Sequence, residues 1–428
     1  MKVLITGGGG REHALGWRVA QSELVDRVFV APGNAGTAME ANIENVDIAV
    51  MDFDRQIKFA LSNDIDLTII GPEAPLVAGV VGKFNEAGLK CLGPSAGAAQ
   101  LEGSKTFSKD FFKKYNIPTA HYGSFEEADL AIEFVKNMST PIVIKADGLA
   151  AGKGVIIAYS YDEAEVVIRD MLSGNAFGEA GSRVVVEEFL EGEEASFIVI
   201  ADGKNFIPFA SSQDHKAALD GDKGSNTGGM GAYSPAPVVS PEVYEKIVQQ
   251  VIQPTIDGMK KEGNDYTGFL YAGLMINEDG DPKVIEFNCR FGDPETQPIM
   301  MRMKSDLAAL CLAAIDGNLD GMSIDFSDEV ALTVVVASGG YPGVYESGAL
   351  ISGLDSTDSG KVFHAGTKIE NGSVLTNGGR VLGVTALGSS VTEAQSAAYK
   401  ILENISFENM YSRTDIGYRA IAREKSLL

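Results

Sequence analysis

Residues 284–297, with the sequence VIEFNCRFGDPETQ, carry the most specific pattern in this chain. Three polar side chains, Glu286, Asn288 and Arg290, alternate with apolar ones. In a β-strand a period of two places them on one face and the packing groups on the other. Carboxylate and amide oxygens at this spacing suit Mg²⁺ that is also bound by substrate phosphates, and an arginine can bind a carboxylate or phosphate. The segment predicts a strand that lines a ligand site; the alternative is a half-buried edge strand with a solvated face.

The composition indicates a soluble globular protein of several domains. The chain has 428 residues, of which 45% are hydrophobic and 22% charged, which predicts two to four domains. A net charge of −24 argues against nucleic-acid and anionic-membrane partners. Neither a signal-peptide core nor an apolar run of membrane length is apparent, and three widely spaced cysteines form no disulfide or zinc pattern. We therefore expect a cytoplasmic protein.

The order of strand and helix signals predicts an α/β and α+β multidomain fold. Short apolar runs at 3–5, 28–30 and 67–70, with a helix at 12–20, predict a parallel βαβ domain. Residues 119–190 form a small α/β unit in this interpretation, with helices at 126–137 and 161–172 and strands at 141–145, 155–158 and 183–187. From Val330 onward, segments with the composition of β-strands are separated by glycines. This pattern predicts a small β-rich C-terminal domain.

A glycine-rich turn lies between the first strand and the first helix. Backbone N–H groups at such a turn can bind phosphate. The glycines at 7–10 do not complete the dinucleotide pattern, because Glu12 or His13 stands where its last glycine belongs, and no acidic residue follows the second strand. This argues against a nicotinamide-dependent oxidoreductase and favours a single phosphate; a plain strand-to-helix turn is the alternative.

A second glycine-rich segment, 147–154, lies between two predicted strands. It is not a Walker A loop, because no Ser or Thr follows Gly152-Lys153 and no helix comes after it. A strand–loop–strand flap could close over a triphosphate, with Lys145 and Lys153 as point charges. A hairpin with solvated lysines is the alternative.

Two further segments could bind small ligands. The strand end at 186–194 could pair with an adenine edge and offer a carboxylate to a ribose, although an acidic surface turn has the same sequence character. Residues 213–216 and 226–231 flank a Gly-rich loop that lets backbone approach a ligand closely. A lone histidine is usually structural, but His215 lies between Asp214 and Lys216 and is predicted to bind rather than to act as a nucleophile, since no Ser-His-Asp pattern is present.

Taken together, these segments resemble the phosphoribosylamine–glycine ligase (glycinamide ribonucleotide synthetase) family of the ATP-grasp superfamily. Nearly the whole chain is covered, through residues 9–14, 31–37, 71–76, 101–105, 145–155, 187–194, 213–216, 226–235, 286–297, 340–343, 362–367, 378–382 and 415–417. The segments at 71–76 and 226–235 argue against a sibling ATP-grasp enzyme such as a carboxylase or another amino-acid ligase.

The resemblance implies a C–N bond-forming ligase of de novo purine biosynthesis. ATP would phosphorylate the glycine carboxylate, and the amine of 5-phosphoribosylamine would then attack the glycyl phosphate. Phosphoryl transfer of this kind needs positioning and charge neutralisation more than a protein nucleophile. The implied cofactors are ATP and Mg²⁺, with Mn²⁺ as an alternative to Mg²⁺. The implied partners are the small substrates, and the protein would be a monomer with a transient contact to the upstream amidotransferase.

The resemblance also implies the residues of the site. Arg290 and Lys145 would be catalytic, and Glu286 and Asn288 would hold the metal. The ATP site would comprise Lys105, Lys145, Gly152, Lys153, Gly154, Glu187, Phe189, Leu190 and Glu194. The substrates would be bound by Gly9, Gly10, Asn34, Gly36, Thr37, Glu73, Pro75, Asp214, His215, Lys216, Asn226, Thr227, Gly228, Gly229, Met230, Arg290 and Asp293.

Three domains are implied: an N-terminal substrate-binding domain at 1–103, a two-lobed ATP-grasp core at 104–326 with an ATP lid at about 119–190, and a C-terminal domain at 327–428. The sequence departs from the family pattern at Ala217, where a basic residue is usual, and at Ser225, where proline is usual. Residues 269–276 carry no acid, so the protein would supply few metal ligands.

Overall fold

The computed structural model describes residues 1–148, 154–173, 182–354 and 360–427. The predicted ATP-loop residues Gly152 and Lys153 lie outside these ranges. Within the described chain, no helix combines the length and apolar character needed to cross a bilayer.

The N-terminal region is a five-stranded parallel sheet flanked by helices. The spatial order is β3-β2-β1-β4-β5, and the strands are short and apolar because both faces are covered. The strands are β1 (Lys2–Gly7), β2 (Arg27–Pro32), β3 (Ile43–Asn45), β4 (Leu67–Ile70) and β5 (Cys91–Leu92). The helices are α1 (Gly10–Val19), α2 (Ala35–Met39), α3 (Phe53–Ser62), α4 (Glu73–Val77), α5 (Val80–Glu86), α6 (Gln100–Gly103) and α7 (Lys105–Tyr115). The predicted βαβ domain is confirmed.

A small four-stranded antiparallel sheet with two helices follows and has its own apolar core. It contains β6 (Tyr122–Phe125), α8 (Ala128–Val135), β7 (Ile142–Ala146), β8 (Val155–Ala158), α9 (Tyr161–Leu172) and β9 (Val184–Glu188), in the spatial order β6-β9-β7-β8. Strand β8 and helix α9 have the predicted bounds. The independent core explains why this unit could be recognised from sequence periodicity alone.

The central sheet has the order β11-β10-β16-β17 and is covered on both faces. Its strands are β10 (Glu193–Asp202), β11 (Phe206–Pro208), β16 (Thr267–Ile276) and β17 (Pro282–Asn288). Along β10, Phe197 and Val199 belong to the apolar core that also contains residues of α10 (Pro241–Ile247) and α11 (Gln253–Lys261), two helices joined by a π-helical turn (Val248–Ile252). Ile198 and Ile200 belong to the core that contains residues of α12 (Thr296–Arg302) and α13 (Leu307–Ile315). Successive side chains of β10 therefore pack alternately into two different apolar cores.

The C-terminal sheet has the order β12-β15-β18-β22-β19, with β23 paired to β18. Two strands, β12 (Gln213–Asp214) and β15 (Gly231–Ser234), come from the 104–326 segment, and the short hairpin β13 (Ala217–Leu219) and β14 (Lys223–Asn226) lies between them. The others are β18 (Val330–Ser338), β19 (Gly360–His364), β22 (Arg380–Gly388) and β23 (Met410–Tyr411), accompanied by the hairpin β20 (Thr367–Glu370) and β21 (Ser373–Thr376) and the helices α14 (Val391–Leu402) and α15 (Tyr418–Leu427). The C-terminal sheet therefore contains strands from both sides of the predicted boundary at 326/327.

Candidate active site

A cavity of about 550 Å³ lies where the three parts of the chain meet. Of the predicted site residues, those that line it are Glu73, Lys105, Lys145, Glu187, Asp214, Lys216, Asn226, Thr227, Gly228, Glu286, Asn288, Arg290 and Asp293. Those absent from its lining are Gly9, Gly10, Asn34, Gly36, Thr37, Pro75, Gly154, Phe189, Leu190, Glu194, His215, Gly229 and Met230. The first set supplies charged side chains of both signs, which suits a cavity for polar, charged ligands.

Strand β17 forms one wall of the cavity. Its pairing with β16 has a bulge at Ile285, because Glu286 stands opposite Gly273 while Val284 stands opposite Leu274. The Asn288 amide Nδ2 donates to the carbonyl of Phe287 at 2.9 Å, which directs the amide nitrogen to the backbone. Burial alone would raise the pKa of Glu286, but nearby lysines, Lys216 first among them, lower it below its ordinary value. Glu286 is therefore a carboxylate, and Asn288 follows it two residues later on the same strand.

Three charged side chains form a buried cluster beside this strand. The Glu187 carboxylate lies 2.8 Å from Lys109 Nζ and 2.9 Å from Lys145 Nζ, and all three residues are almost completely buried. Burial lowers the pKa of Lys109 to about 8 although Glu187 opposes the shift. Lys145 Nζ also donates to the carbonyl of Ile285 at 3.2 Å. The Glu187 side chain thus fixes both ammonium groups at one end of the cavity.

Arg290 lies beyond the end of β17 and contacts two carboxylates. Its Nε is 3.4 Å from Glu73 Oε2 and its Nη2 is 3.1 Å from Glu102 Oε1. Nη1 donates to the carbonyl of Phe291 at 3.0 Å. Glu102 also accepts hydrogen bonds from the backbone N–H and the thiol of Cys289, and burial raises its pKa. Most of the guanidinium is therefore held by the protein, and its position is determined before any ligand arrives.

A second group of charges surrounds Lys216. Its Nζ is ion-paired with Glu194 and lies 3.8 Å from Glu286 Oε1. Burial would lower the pKa of Lys216, but Glu194 and Asp214 raise it well above its ordinary value. The pKa of Asp214 is raised well above its ordinary value, principally by burial. Glu194 pairs with this lysine but does not line the cavity, whereas Asp214 does line it.

The glycine-rich turn before α1 is closed by carboxylates of the protein itself. The N–H of Gly9 donates to Glu12 Oε2 at 2.7 Å, and the N–H of Arg11 donates to Asp293 Oδ2 at 3.4 Å. A Cβ atom on Gly10 would lie 2.4 Å from the amide nitrogen of Gln297. The glycines therefore allow the central part of the chain to pack closely against the helix N-terminus.

Asn34, Gly36 and Thr37 lie beside this turn and do not line the main cavity. The Asn34 Nδ2 donates to the carbonyls of Gly8 and His364 at 3.0 and 2.8 Å, and its Oδ1 accepts from the N–H of Thr37. A Cβ on Gly36 would lie within 2.3 Å of the ring of His13. These residues join the N-terminal region to the C-terminal sheet.

The loop at 226–230 is held by the C-terminal region. Arg380 Nη1 donates to the carbonyls of Gly228 and Asp293 at 2.6 and 2.7 Å, and the Gly228 N–H donates to the Tyr341 hydroxyl at 3.1 Å. His215 Nε2 accepts from the N–H of Gly417 at 2.9 Å, so this ring points to the C-terminal region. Tyr341 and Arg380 of the C-terminal region also line the cavity.

Several cavity residues were not predicted from the sequence: Arg11, Glu102, Lys109, Tyr271, Glu295, Tyr341 and Arg380. A signal was present for five of them, because the segments that carry the family resemblance include Arg11, Glu102, Glu295, Tyr341 and Arg380. Lys109 follows Lys105 by four residues on α7, a spacing that places both on one helix face. Tyr271 lies in an apolar strand, where its sequence context is that of a core residue.

Comparisons with known proteins agree along the entire chain. Family models match in three consecutive parts: "Phosphoribosylglycinamide synthetase, N domain" at residues 1–102, its ATP-grasp (A) domain at 103–296 and its C domain at 331–419. The chain is 61% identical over 427 residues to phosphoribosylamine–glycine ligase of Vibrio vulnificus, covering 99% of this chain and 100% of the relative. It is 60% identical over 429 residues to that of Escherichia coli O6:H1, with both chains covered completely.

Solved structures give the same result at the level of the fold. The crystal structure of phosphoribosylamine–glycine ligase from Thermotoga maritima superimposes with a TM-score of 0.85 at 35% identity, covering 97% of this chain and 100% of that one. The biotin carboxylase domain of Hydrogenobacter thermophilus 2-oxoglutarate carboxylase has a TM-score of 0.75 at 17% identity, covering 96% and 91%. At that identity the second likeness concerns the fold alone.

Proposed function

Because the chain belongs to the phosphoribosylglycinamide synthetase family, we propose that its main cavity is the place where ATP, glycine and 5-phosphoribosylamine react. The protein is an ATP-dependent ligase of purine biosynthesis that joins glycine to phosphoribosylamine. The observation that carries the site assignment is the position of Glu286 and Asn288 in the cavity wall, with lysines on one side and Arg290 on the other.

The nucleotide end of the proposed site contains Lys105 and Lys145. Neutralising charge on transferring phosphoryl oxygens is the main task of the protein in such a reaction. Lys145 is held by Glu187 at 2.9 Å, so its ammonium is already oriented. The adenine contacts of 187–190, the ribose contact of Glu194 and the closing of 147–154 over the phosphates remain predictions.

The metal is proposed to lie at Glu286 and Asn288. The fit is supported by the donor set: one carboxylate oxygen and one amide oxygen whose nitrogen is already bonded to backbone, both hard ligands that suit Mg²⁺. Among the described residues no group of three His, Cys, Asp or Glu side chains could hold a metal, so these two ligands need water and phosphate oxygens to complete the shell. When bound, the ion neutralises phosphate charge. Mn²⁺ is proposed as an alternative ion that the same oxygens could bind in place of Mg²⁺.

The substrate end is proposed to be formed by Glu73, Arg290, Asp293 and the loop at 226–230. The glycine carboxylate would accept the phosphoryl group to give glycyl phosphate, and the phosphoribosylamine nitrogen would displace phosphate from its carbonyl carbon. Arg290 is fixed by two glutamates, which supports a role in orienting the glycine carboxylate or the acyl phosphate. Such preorganisation lowers the entropy lost on reaching the reactive geometry.

The division into domains at 1–103, 104–326 with a lid at about 119–190, and 327–428 is retained as a proposal. A monomeric state, a cytoplasmic location and a transient contact with an upstream amidotransferase also remain predictions from the sequence and the resemblance.

A coupled assay of ADP release tests the function directly. ADP should form only when ATP, glycine and phosphoribosylamine are all supplied, and a mass-spectrometric assay should find an equal amount of glycinamide ribonucleotide. ADP release with bicarbonate in place of glycine would instead indicate a carboxylase. NAD(H) binding measured by calorimetry would revive the oxidoreductase hypothesis.

A further inference from the structure

A chain of three hydrogen-bonding side chains runs from the main cavity into the central sheet. The hydroxyl of Tyr271 on β16 lies 2.9 Å from Ser196 Oγ on β10, which lies 3.0 Å from Glu295 Oε1 at the start of α12. These side chains are nearly inaccessible to solvent, with relative exposures of 3%, 0% and 3%. Tyr271 and Glu295 both line the cavity. None of the roles predicted above uses this series of hydrogen bonds.

The chemistry of the three groups determines the direction of the hydrogen bonds. The carboxylate of Glu295 can only accept, so the single hydroxyl proton of Ser196 is donated to it. Ser196 then has only lone pairs to offer Tyr271, and the phenol must be the donor. The phenol oxygen therefore retains a lone pair for an N–H donor, and protons can move only from Tyr271 towards Glu295.

Tyr271 lies in the cavity wall beside the proposed metal ligands. Tyr271 pairs with Asn288 across the two strands, and the neighbouring pair is Gly273 with Glu286. The Tyr271 ring lies 3.2 Å from the place where a Cβ of Gly273 would stand, so no side chain separates the ring from Glu286 there. The proposed metal ligands and the first member of the hydrogen-bond chain thus share one wall.

We propose that Tyr271 is a catalytic residue that removes the proton from the attacking amine and passes it through Ser196 to Glu295. The proposal rests on the ligase function given above. As the nitrogen of phosphoribosylamine bonds to the carbonyl carbon of glycyl phosphate, the C–O bond to phosphate breaks and phosphate leaves with the electron pair. The surplus N–H proton moves to the phenol oxygen, the phenol proton to Ser196, and the Ser196 proton to Glu295. The products are a neutral amide, free phosphate and protonated Glu295, which balances the step.

The relay gives a reason for a buried phenol and a buried serine in β16 and β10, two strands whose other buried side chains are mostly apolar. Buried polar groups cost stability unless they are hydrogen-bonded, and a plain core would contain Phe and Ala at these places. Asp214 is the rival proton acceptor, because it also faces the cavity. A direct transfer to Asp214 would leave Tyr271 without influence on the rate.

Rapid-quench kinetics with all three substrates separates the two chemical steps. In Tyr271→Phe we expect ADP to form in the first turnover within about twofold of the wild-type rate, because phosphoryl transfer does not use the relay. Formation of the amide should be slower by about 10²-fold or more, the usual contribution of a general base. Added hydroxylamine should trap the waiting glycyl phosphate as glycine hydroxamate, since this weakly basic nucleophile loses its proton to water.

The matched control is Tyr266→Phe, which also removes a buried phenol hydroxyl but one that donates to the carbonyl of Phe269 and does not line the cavity. Both steps should stay within about twofold of wild type. Ser196→Ala interrupts the relay without touching the cavity and should reproduce the slow amide step. Thermal melts of each variant establish that it is folded.

The outcomes separate the relay from the function on which it rests. An unchanged rate of amide formation in Tyr271→Phe overturns the relay in favour of Asp214 or water, and so does an equal loss of both steps, which would indicate a structural role. If wild-type protein itself forms no amide from the three substrates, the proposed function fails instead.

Discussion

Arg413→Met should loosen the hairpin formed by β13 and β14, which leads into the loop at 226–230 that we propose to bind substrate. The Arg413 side chain is completely buried. It forms a two-point ion pair with Asp415 at 2.7 and 2.8 Å, contacts Asp222 at 3.0 Å and donates to the carbonyl of Ala217 at 3.1 Å. Methionine fills a similar volume but leaves both carboxylates without this partner.

The size of the effect follows from burial. Removing one member of a buried ion pair costs roughly 3–5 kcal/mol. Asp415 and Asp222 keep relative side-chain exposures of 21% and 29%, and Asp222 retains Arg419 at 2.7 Å, so we expect the lower end, about 3 kcal/mol. Because about 1.4 kcal/mol corresponds to a factor of ten, amides of this hairpin should exchange with solvent about 10²-fold faster.

Hydrogen–deuterium exchange followed by mass spectrometry measures this directly, with peptides of the N-terminal sheet as an internal reference. Arg27→Met is the matched control, because Arg27 makes an exposed ion pair with Glu44 and such pairs contribute little. The KM for phosphoribosylamine should rise in Arg413→Met, since Asn226 and Thr227 line the cavity. Equal exchange at 217–226 in the two variants would refute the reasoning.

Three further variants test the site and its supports. Glu286→Ala should lower kcat by about 10²-fold or more and weaken the response to Mg²⁺ titration while the melting temperature stays the same; near-normal activity would show that the metal assignment is wrong. Arg290→Lys should cost at least about tenfold in kcat/KM for glycine, because an ammonium cannot span Glu73 and Glu102 together; unchanged kinetic constants would contradict this. Glu40→Gln should flatten the acid dependence of stability: hydrogen bonds from His13 and Lys361 lower the pKa of Glu40 to about 2 against the effect of burial, so its contribution is present above about pH 4.5 and is lost as the pH falls towards 2. Urea unfolding at several pH values measures the free energy of unfolding. An equal change of this free energy with pH in both proteins would count against the ion pair.

Much of the fold was predictable because its signals are local. The parallel strands of the N-terminal sheet are short apolar runs bounded by turns, and the bounds of β8 and α9 follow from periodicity alone. The alternation at 286–290 placed Glu286 and Asn288 on one face before any partner was known. The sequence division at 326/327 did not reveal that β12 and β15 join the C-terminal sheet, because strand pairing across a hundred residues has no local signal.

The sequence by itself determined the family, the ligase chemistry and the residue types available to perform it, since these depend on motifs a few residues long. Only the tertiary structure decided which side chains of those motifs face the cavity and which hold it together. Arg290 meets Glu73 and Glu102, and Asp293 closes the turn before α1, across separations of more than 180 residues. Such ion pairs depend on distance and burial after folding. The sequence at 286–290 therefore specified a polar face, and the packing of other parts of the chain around it made that face one wall of the cavity.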